Sequence, residues 1–216
     1  ELDLPVPNHK LDFYRDIALL AFPMPEGEDW KMKEHVAKIT TGVELANPDA
    51  VIDGNTGTMA ILPKPSAKAP QYIQFEFTEA FAPRTLSITP STGHQAHSGA
   101  LQASDDGVVF RTIMPVNLPD TETGRHAENF AVETAPARFF RLTFDKGDTR
   151  ATRLTLGEIN LTPQVILKDW HEKAGVWRVE NPARDTRTSI PASCAVTSDK
   201  VMDISAHMDA SGKLTW

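Results

Sequence analysis

An antiparallel β-sandwich is the fold expected of this sequence. Apolar and polar residues alternate in short runs between residues 71 and 161, turn residues separate the runs, and no helical pattern intervenes. Sixteen prolines in 216 residues point the same way, because proline interrupts helices and suits a loop-rich β-protein. The composition is globular, 40% hydrophobic and 24% charged. The length allows one well-buried domain with an appendage, or two small domains.

Residues 1–10 (ELDLPVPNHK) form an extended lead-in, since Pro5 and Pro7 block helix. Phe13–Phe22 is a largely apolar run stopped by Pro23 and Pro25; its length favours a buried strand, while periodicity alone also admits a short helix. Asp29–Ile39 (DWKMKEHVAKI) has helical composition, with Asp29 as N-cap, Trp30, His35 or Val36, and Ile39 on one face, and Gly42 closing it. Residues 1–40 therefore read as a lead-in strand and short helix.

Residues 41–163 read as the sandwich. Gln71–Phe77 alternates, with Ile73, Phe75 and Phe77 on one face and Gln74 and Glu76 on the other. Leu86 and Ile88 repeat the pattern in Arg84–Thr89, and Ala100–Ser104 is a further short strand. Asp105-Asp106-Gly107 makes a hairpin turn into Val108–Ile113. Ala137–Phe144 places Phe140, Leu142 and Phe144 on one face, and Leu154–Leu161 is the last strand before Pro163. Residues 164–216 form a third region. Val165–Ala174 (VILKDWHEKA) reads as an amphipathic helix ended by Gly175, and Val201–Ser205, the Asp209–Gly212 turn and Lys213–Trp216 as the start of a hairpin. Phe13–Phe22 and Val201–Trp216 are expected to pair with each other.

Net charge −7 and a pI near 5.5, with acids and bases interspersed, argue against nucleic acid and against an anionic membrane as partners. No apolar run approaches the roughly 20 residues of a spanning helix, and no basic segment with an apolar core opens the chain. The single Cys194 excludes an internal disulfide and a cysteine-based zinc site, and it has no identifiable His partner. A start at Glu1 without Met and an end at Trp216 read as a piece of a longer protein.

The stretch Val51–Thr58 (VIDGNTGT) gathers an acid, an amide and two hydroxyls around two glycines: an oxygen-rich loop able to hold a hard cation or bear on a ligand. Other constellations are weaker. His94-x-x-His97 lacks a helical frame or third ligand for zinc. Asp105-Asp106 is explained by turn chemistry rather than by glycosidase acid/base work. Arg138 and Arg141, flanking the aromatic strand, are expected to pair with surface acids, and Asn160-Leu-Thr162 is a strand-terminal match to a glycosylation acceptor.

Five blocks occur in a fixed order: Asp53-Gly-Asn-x-x-Thr58, Tyr72-Ile-Gln-Phe-Glu-Phe77, Leu101-Gln-Ala-Ser-Asp-Asp-Gly107, Ala137-Arg-Phe-Phe-Arg-Leu142 and Leu156-Gly-Glu-Ile-Asn-Leu161. In this order they resemble the discoidin / coagulation-factor C-type domain, which includes the family 32 carbohydrate-binding modules. Met59 and Ala60 stand where relatives often carry Trp, and Gly157 replaces the usual Ser before the Glu. The resemblance implies a galactose-binding-like jelly roll with short flanking helices and an additional β region from the termini. It also implies that Glu158 approaches the Asp53 loop, so that Asp53, Asn55, Thr58 and Glu158 hold a structural calcium. The plainer alternative is that Asp53 caps its own turn while Glu158 bonds backbone or an arginine.

In sugar-binding relatives a rim loop corresponds to Pro90–Ser98, which makes His94, Gln95 and His97 candidate ligands, with Arg125 on a second rim at Asp120–Asn129. A sugar site also wants an aromatic platform, and all four tryptophans (30, 170, 177 and 216) lie outside the sandwich strands, so a solvated loop competes with this reading. The flanks are narrower in their likeness. Tyr14–Pro23, Asp169–Gly175 and Val201–Trp216 resemble segments of the α-L-rhamnosidases of glycoside hydrolase family 106. That resemblance implies a non-catalytic accessory module of an exported bacterial enzyme, periplasmic or extracellular, acting on plant polysaccharide. Its partner would be the catalytic domain of the same polypeptide, with plant glycan as a second partner, and no catalytic residue in this chain. The alternatives are an autonomous carbohydrate-binding module and a chain that is itself a hydrolase.

Overall fold

The computed structural model describes residues 2–3, 18–91, 94–120, 127–167, 194–209 and 211–215. The chain divides into two compact units, Glu1–Glu26 with Pro191–Trp216, and Gly27–Ile190. In the first, β1 (Leu2–Asp3) and β2 (Leu20–Ala21) come from the start of the chain. The sandwich unit holds α1 (Met32–His35), β3 (Val36–Thr41), β4 (Ala60–Pro63), β5 (Gln71–Phe81), β6 (Thr85–Pro90) and β7 (His97–Ser104). It continues with β8 (Arg111–Leu118), β9 (Glu128–Ala131), β10 (Ala137–Gly147) and β11 (Arg153–Thr162). The short strands β12 (Met202–Asp203) and β13 (Lys213–Leu214) return to the first unit.

The sandwich is a mainly β, antiparallel jelly roll. One sheet has the order β3-β5-β10-β7-β8 and the other β4-β11-β6-β9. Alternation decides which side chains face inward: Ile73, Phe75 and Phe77 on β5 and Phe140, Leu142 and Phe144 on β10 are fully buried. They share one core with Leu86 and Ile88 of β6 and Leu154, Leu156, Ile159 and Leu161 of β11. Burying each such side chain contributes roughly 1.5–3 kcal/mol before chain entropy is counted. Phe77 and Phe140 meet edge to face at 5.8 Å.

A β-bulge on β11 fixes the position of one key side chain. The large apolar side chains of the core run 154 and 156, then 159 and 161, and the register against β6 shifts between Leu156 and Glu158. Gly157 sits at the shift, where an added Cβ would lie 2.8 Å from the Thr89 carbonyl oxygen. The extra residue reverses the alternation and turns Glu158 away from the core.

The helix expected over Asp29–Ile39 is shorter. Only Met32–His35 is helical, Lys31 rather than Asp29 is its N-cap, and Val36–Thr41 is a strand paired with β5. Four of those six residues are β-branched, and the open edge of β5 offers them a ladder. Trp30 plugs this corner: its Nε1 donates to the Leu161 carbonyl oxygen at 2.9 Å, and its ring stacks on His35 and Phe81. The strand expected at Val108–Ile113 begins instead at Arg111 and runs to Leu118, because Asp106 Oδ1 accepts the N–H groups of Val108 and Val109 and bends them out of the ladder.

In the first unit β2 pairs with β12, Leu20 opposite Asp203, and β1 pairs with β13. Leu19 N donates to Ser205 Oγ at 2.8 Å. The chain's two ends therefore do meet, as expected, through Leu20–Ala21; Phe13–Ile17 lies outside the described residues. Val165–Leu167 is irregular, and the rest of the helix expected there, from residue 168, lies outside them too. Among the described residues no helix is long and apolar enough to cross a membrane.

Candidate functional site

The Asp53 loop is built on a 3-10 turn, Pro48–Val51, whose Ala50 and Val51 are buried and so pin one end of the loop to the core. Gly54 follows with φ of 77°, a left-handed conformation that lets the chain reverse. Two side chains then bond the backbone two residues ahead: Asp53 Oδ1 accepts from Asn55 N at 2.8 Å, and Asn55 Oδ1 from Gly57 N at 2.9 Å. Thr58 closes the loop, its N–H donating to the Asn55 carbonyl oxygen at 3.0 Å.

The Thr58 hydroxyl lies among more acceptors than it can serve. Its Oγ1 is 2.8 Å from Asp53 Oδ2, 3.0 Å from Asp53 Oδ1, 2.8 Å from the Asn55 carbonyl oxygen and 3.5 Å from the Ala50 carbonyl oxygen. A hydroxyl carries one proton, so it serves one of these oxygens at a time, while Asp53 Oδ1 and the Asn55 carbonyl oxygen also take the Asn55 and Thr58 N–H groups. Glu158 is aimed at the same place by the β11 bulge. Burial, and after it contact with Asp53, pushes the Glu158 carboxyl up; the Thr58 hydroxyl, followed by the Asn55 N–H, pulls the Asp53 carboxyl down. Glu158 Oε1 is buried with no hydrogen-bond partner. The structure thus brings Asp53, Asn55, Thr58 and Glu158 together, and adds the Ala50 carbonyl, a backbone group that no residue pattern marks. Among the described residues no group of three or more His, Cys, Asp or Glu side chains is arranged to hold a metal ion, so a cation at this loop would rely on carbonyl and hydroxyl oxygens beside the two carboxylates, the donor mix that calcium takes.

His94 and His97 stand differently. They are 4% and 2% exposed, inside the end of the sandwich rather than on its rim. His97 Nδ1 donates to the Gln95 carbonyl oxygen at 2.7 Å and lies 3.3 Å from His94 Nε2, while its ring meets Phe144 edge-on. Gly147 leaves room for it, since a Cβ there would come within 3.0 Å of both Cδ2 and Nε2. Burial, with the neighbouring His97 second, holds His94 down at about 4; burial also lowers His97. In both rings burial favours the neutral form. Gln95 is half-buried, and Arg125 lies outside the described residues. Around this corner Asp120 accepts from Ala96 N and from Arg150, which also pairs with Asp148 at 3.0 Å.

The family model for the alpha-L-rhamnosidases of glycoside hydrolase family 106 matches residues 6–216. The chain belongs to this family. No curated protein matches it. Among solved structures, the rhamnosidase-family chain is similar to the family 32 carbohydrate-binding module of AlyQ in complex with 4,5-unsaturated mannuronic acid, at 19% identity and a TM-score of 0.49, covering 58% of this chain and 94% of that one. It is similar to the family 32 module of NanJ from C. perfringens in complex with galactose, at 16% identity and a TM-score of 0.46, covering 58% and 92%. It also matches truncated AlyQ with its carbohydrate-binding and alginate lyase domains, at 19% identity and a TM-score of 0.49, covering 59% of this chain and 32% of that one.

In this rhamnosidase-family chain Arg141 departs from the sequence reading and Asp106 keeps to it. Arg138 does pair with an acid, Glu76, at 2.7 Å, but among the described residues Arg141 does not; its guanidinium lies over two aromatic rings, Phe110 at 3.7 Å and Tyr72 at 4.7 Å. Asp106 is turn chemistry, accepting from Val108 N, Val109 N and Ser104 Oγ.

Proposed function

We propose that this chain is a non-catalytic accessory sandwich of an exported α-L-rhamnosidase acting on plant polysaccharide. It supports a catalytic domain of the same polypeptide, and its Asp53–Glu158 loop holds a structural calcium. The observation that carries the reading is how Asp53 uses its carboxylate. Glycoside hydrolysis needs two carboxyl groups facing a bond across an open gap of roughly 5–9.5 Å, one of them free to donate a proton to the leaving group. Both Asp53 oxygens instead bond within their own loop, to Asn55 N and Thr58 Oγ1. Glu158 faces that same loop. A cation suits the arrangement better than a substrate, because two carboxyls that approach each other, one with an unpartnered oxygen, repel until a positive charge sits between them.

The test is turnover of an aryl α-L-rhamnoside by the purified chain, with and without calcium. No rate above buffer is expected in either condition. Turnover that disappears in Asp53→Asn or Glu158→Gln would overturn the accessory reading.

A further inference from the structure

We propose that the outer face of the five-stranded sheet is a binding face for a uronate-bearing saccharide, with Arg141 as the group that takes the carboxylate. It goes beyond the accessory reading and rests on it only in expecting a saccharide. The register places Thr40, Gln74, Arg141, Gln102 and Thr112 side by side across all five strands, from β3 through β5, β10 and β7 to β8. All five are partly or fully exposed, because their neighbours in sequence supply the core. The row is amide and hydroxyl throughout, apart from one cation at its centre, which is the inventory that reads sugar hydroxyls.

Arg141 is held in a way that surface arginines seldom are. Its Nε and Nη2 both donate to Gln74 Oε1, at 3.1 and 2.7 Å, and its guanidinium lies over the Phe110 and Tyr72 rings. Every one of these partners is uncharged, and among the described residues no carboxylate pairs with Arg141. Arg111, Arg138 and Arg150 each reach an acid, whereas Arg141 spends its donors on a neutral amide. Stacking on the rings and the Gln74 bonds fix the plane of the guanidinium in advance, and among the described residues no acceptor takes the Nη1 protons. A pre-oriented planar cation in a row of neutral polar groups favours a planar anion on a hydroxyl-rich chain, which is a uronate. The aromatic rings beside it supply apolar surface for the C–H faces of the sugar.

Affinity electrophoresis of the purified chain tests this, with gels holding polygalacturonate, an uncharged galactan or dextran sulfate. Polygalacturonate is expected to retard the wild type, the galactan to leave it unshifted, and dextran sulfate to act more weakly. Arg141→Gln should weaken the polygalacturonate interaction about tenfold or more, the cost of one charge-assisted contact. Arg141→Lys should weaken it too, because the flat, stacked fork is lost with the charge kept. Unchanged thermal unfolding of both variants shows that the fold is intact; if Arg141→Gln unfolds, Gln102→Ala and Thr112→Ala on the same row carry the test. No retardation by polygalacturonate, equal retardation by dextran sulfate, or full binding by Arg141→Gln would each overturn the proposal, and the first would leave the face to a protein neighbour. Rhamnoside turnover is a separate measurement, so either idea can fail alone.

Discussion

The Asp53–Glu158 loop and the His94–His97 corner are both polar clusters at the margin of one sandwich, and they solve burial in opposite ways. At the loop, the Asp53 and Glu158 carboxyls approach each other, and the one that burial pushes up has an oxygen with no partner. At the corner, two imidazoles give up their charge and tuck against Phe144 and Gly147. Surplus negative charge asks for a cation, whereas a neutral ring asks only to stay dry. One region should therefore answer to calcium and the other to protons.

The largest expected effect is acid sensitivity at the corner. His94 has an ordinary value of 6.5 and is held at about 4 in the folded chain. Between those two values the unfolded chain binds a proton that the folded chain refuses, so stability falls as pH falls through that window and levels off below it. A gap of that size amounts to on the order of 2–3 kcal/mol, and His97 adds in the same direction. Urea unfolding at pH 7 and pH 4.5 should show the loss, and His94→Gln should remove much of it. An unchanged loss in that variant would place the acid sensitivity elsewhere.

Two glycines separate packing from backbone strain. Gly147→Ala drives a methyl against His97 and should cost about 1–3 kcal/mol. Gly54→Ala meets nothing within 4 Å and should cost only the φ penalty, about 1 kcal/mol. Equal costs, measured by thermal melts of the two variants, would mean that the corner is looser than its contacts indicate.

Glu158→Gln should have the smallest effect, and one whose sign depends on calcium. A carboxyl whose folded value is raised contributes stability at pH below its unfolded range and loses it as pH rises through the folded value, so the ionised group is unfavourable at pH 7. With chelator at pH 7, Glu158→Gln should be slightly more stable than the wild type, within about 1 kcal/mol. With calcium the order should reverse. A variant less stable under both conditions would mean that Glu158 acts through some other bond.

The strands were legible because alternation is a local signal: Gln71–Phe77 and Ala137–Phe144 could be read residue by residue. Val36–Thr41 was not, since helix-forming Lys33, Glu34 and His35 run straight into it and only pairing with β5 makes it a strand. The Asp53 loop was legible as Asp-Gly-Asn turn chemistry, and the approach of Glu158 came from the family resemblance. Its physical cause, the bulge at Gly157, shows in the sequence as the step from Leu156 to Ile159 in an otherwise alternating strand. Burial of His94 and His97 was illegible, because polar residues inside a fold leave no periodic trace. The Tyr72–Arg141–Phe110 stack joins residues far apart in sequence, and only the registers of β5, β7 and β10 bring them together.

Thermal unfolding across a calcium titration that starts from chelated protein tests the central claim most directly. A ligand that binds only the folded state raises stability with the logarithm of its concentration. The wild-type melting temperature should therefore climb steadily with calcium, magnesium should do much less, and Asp53→Asn should stay flat. A wild type indifferent to calcium, or an Asp53→Asn variant that climbs as the wild type does, would contradict a calcium clasp at this loop.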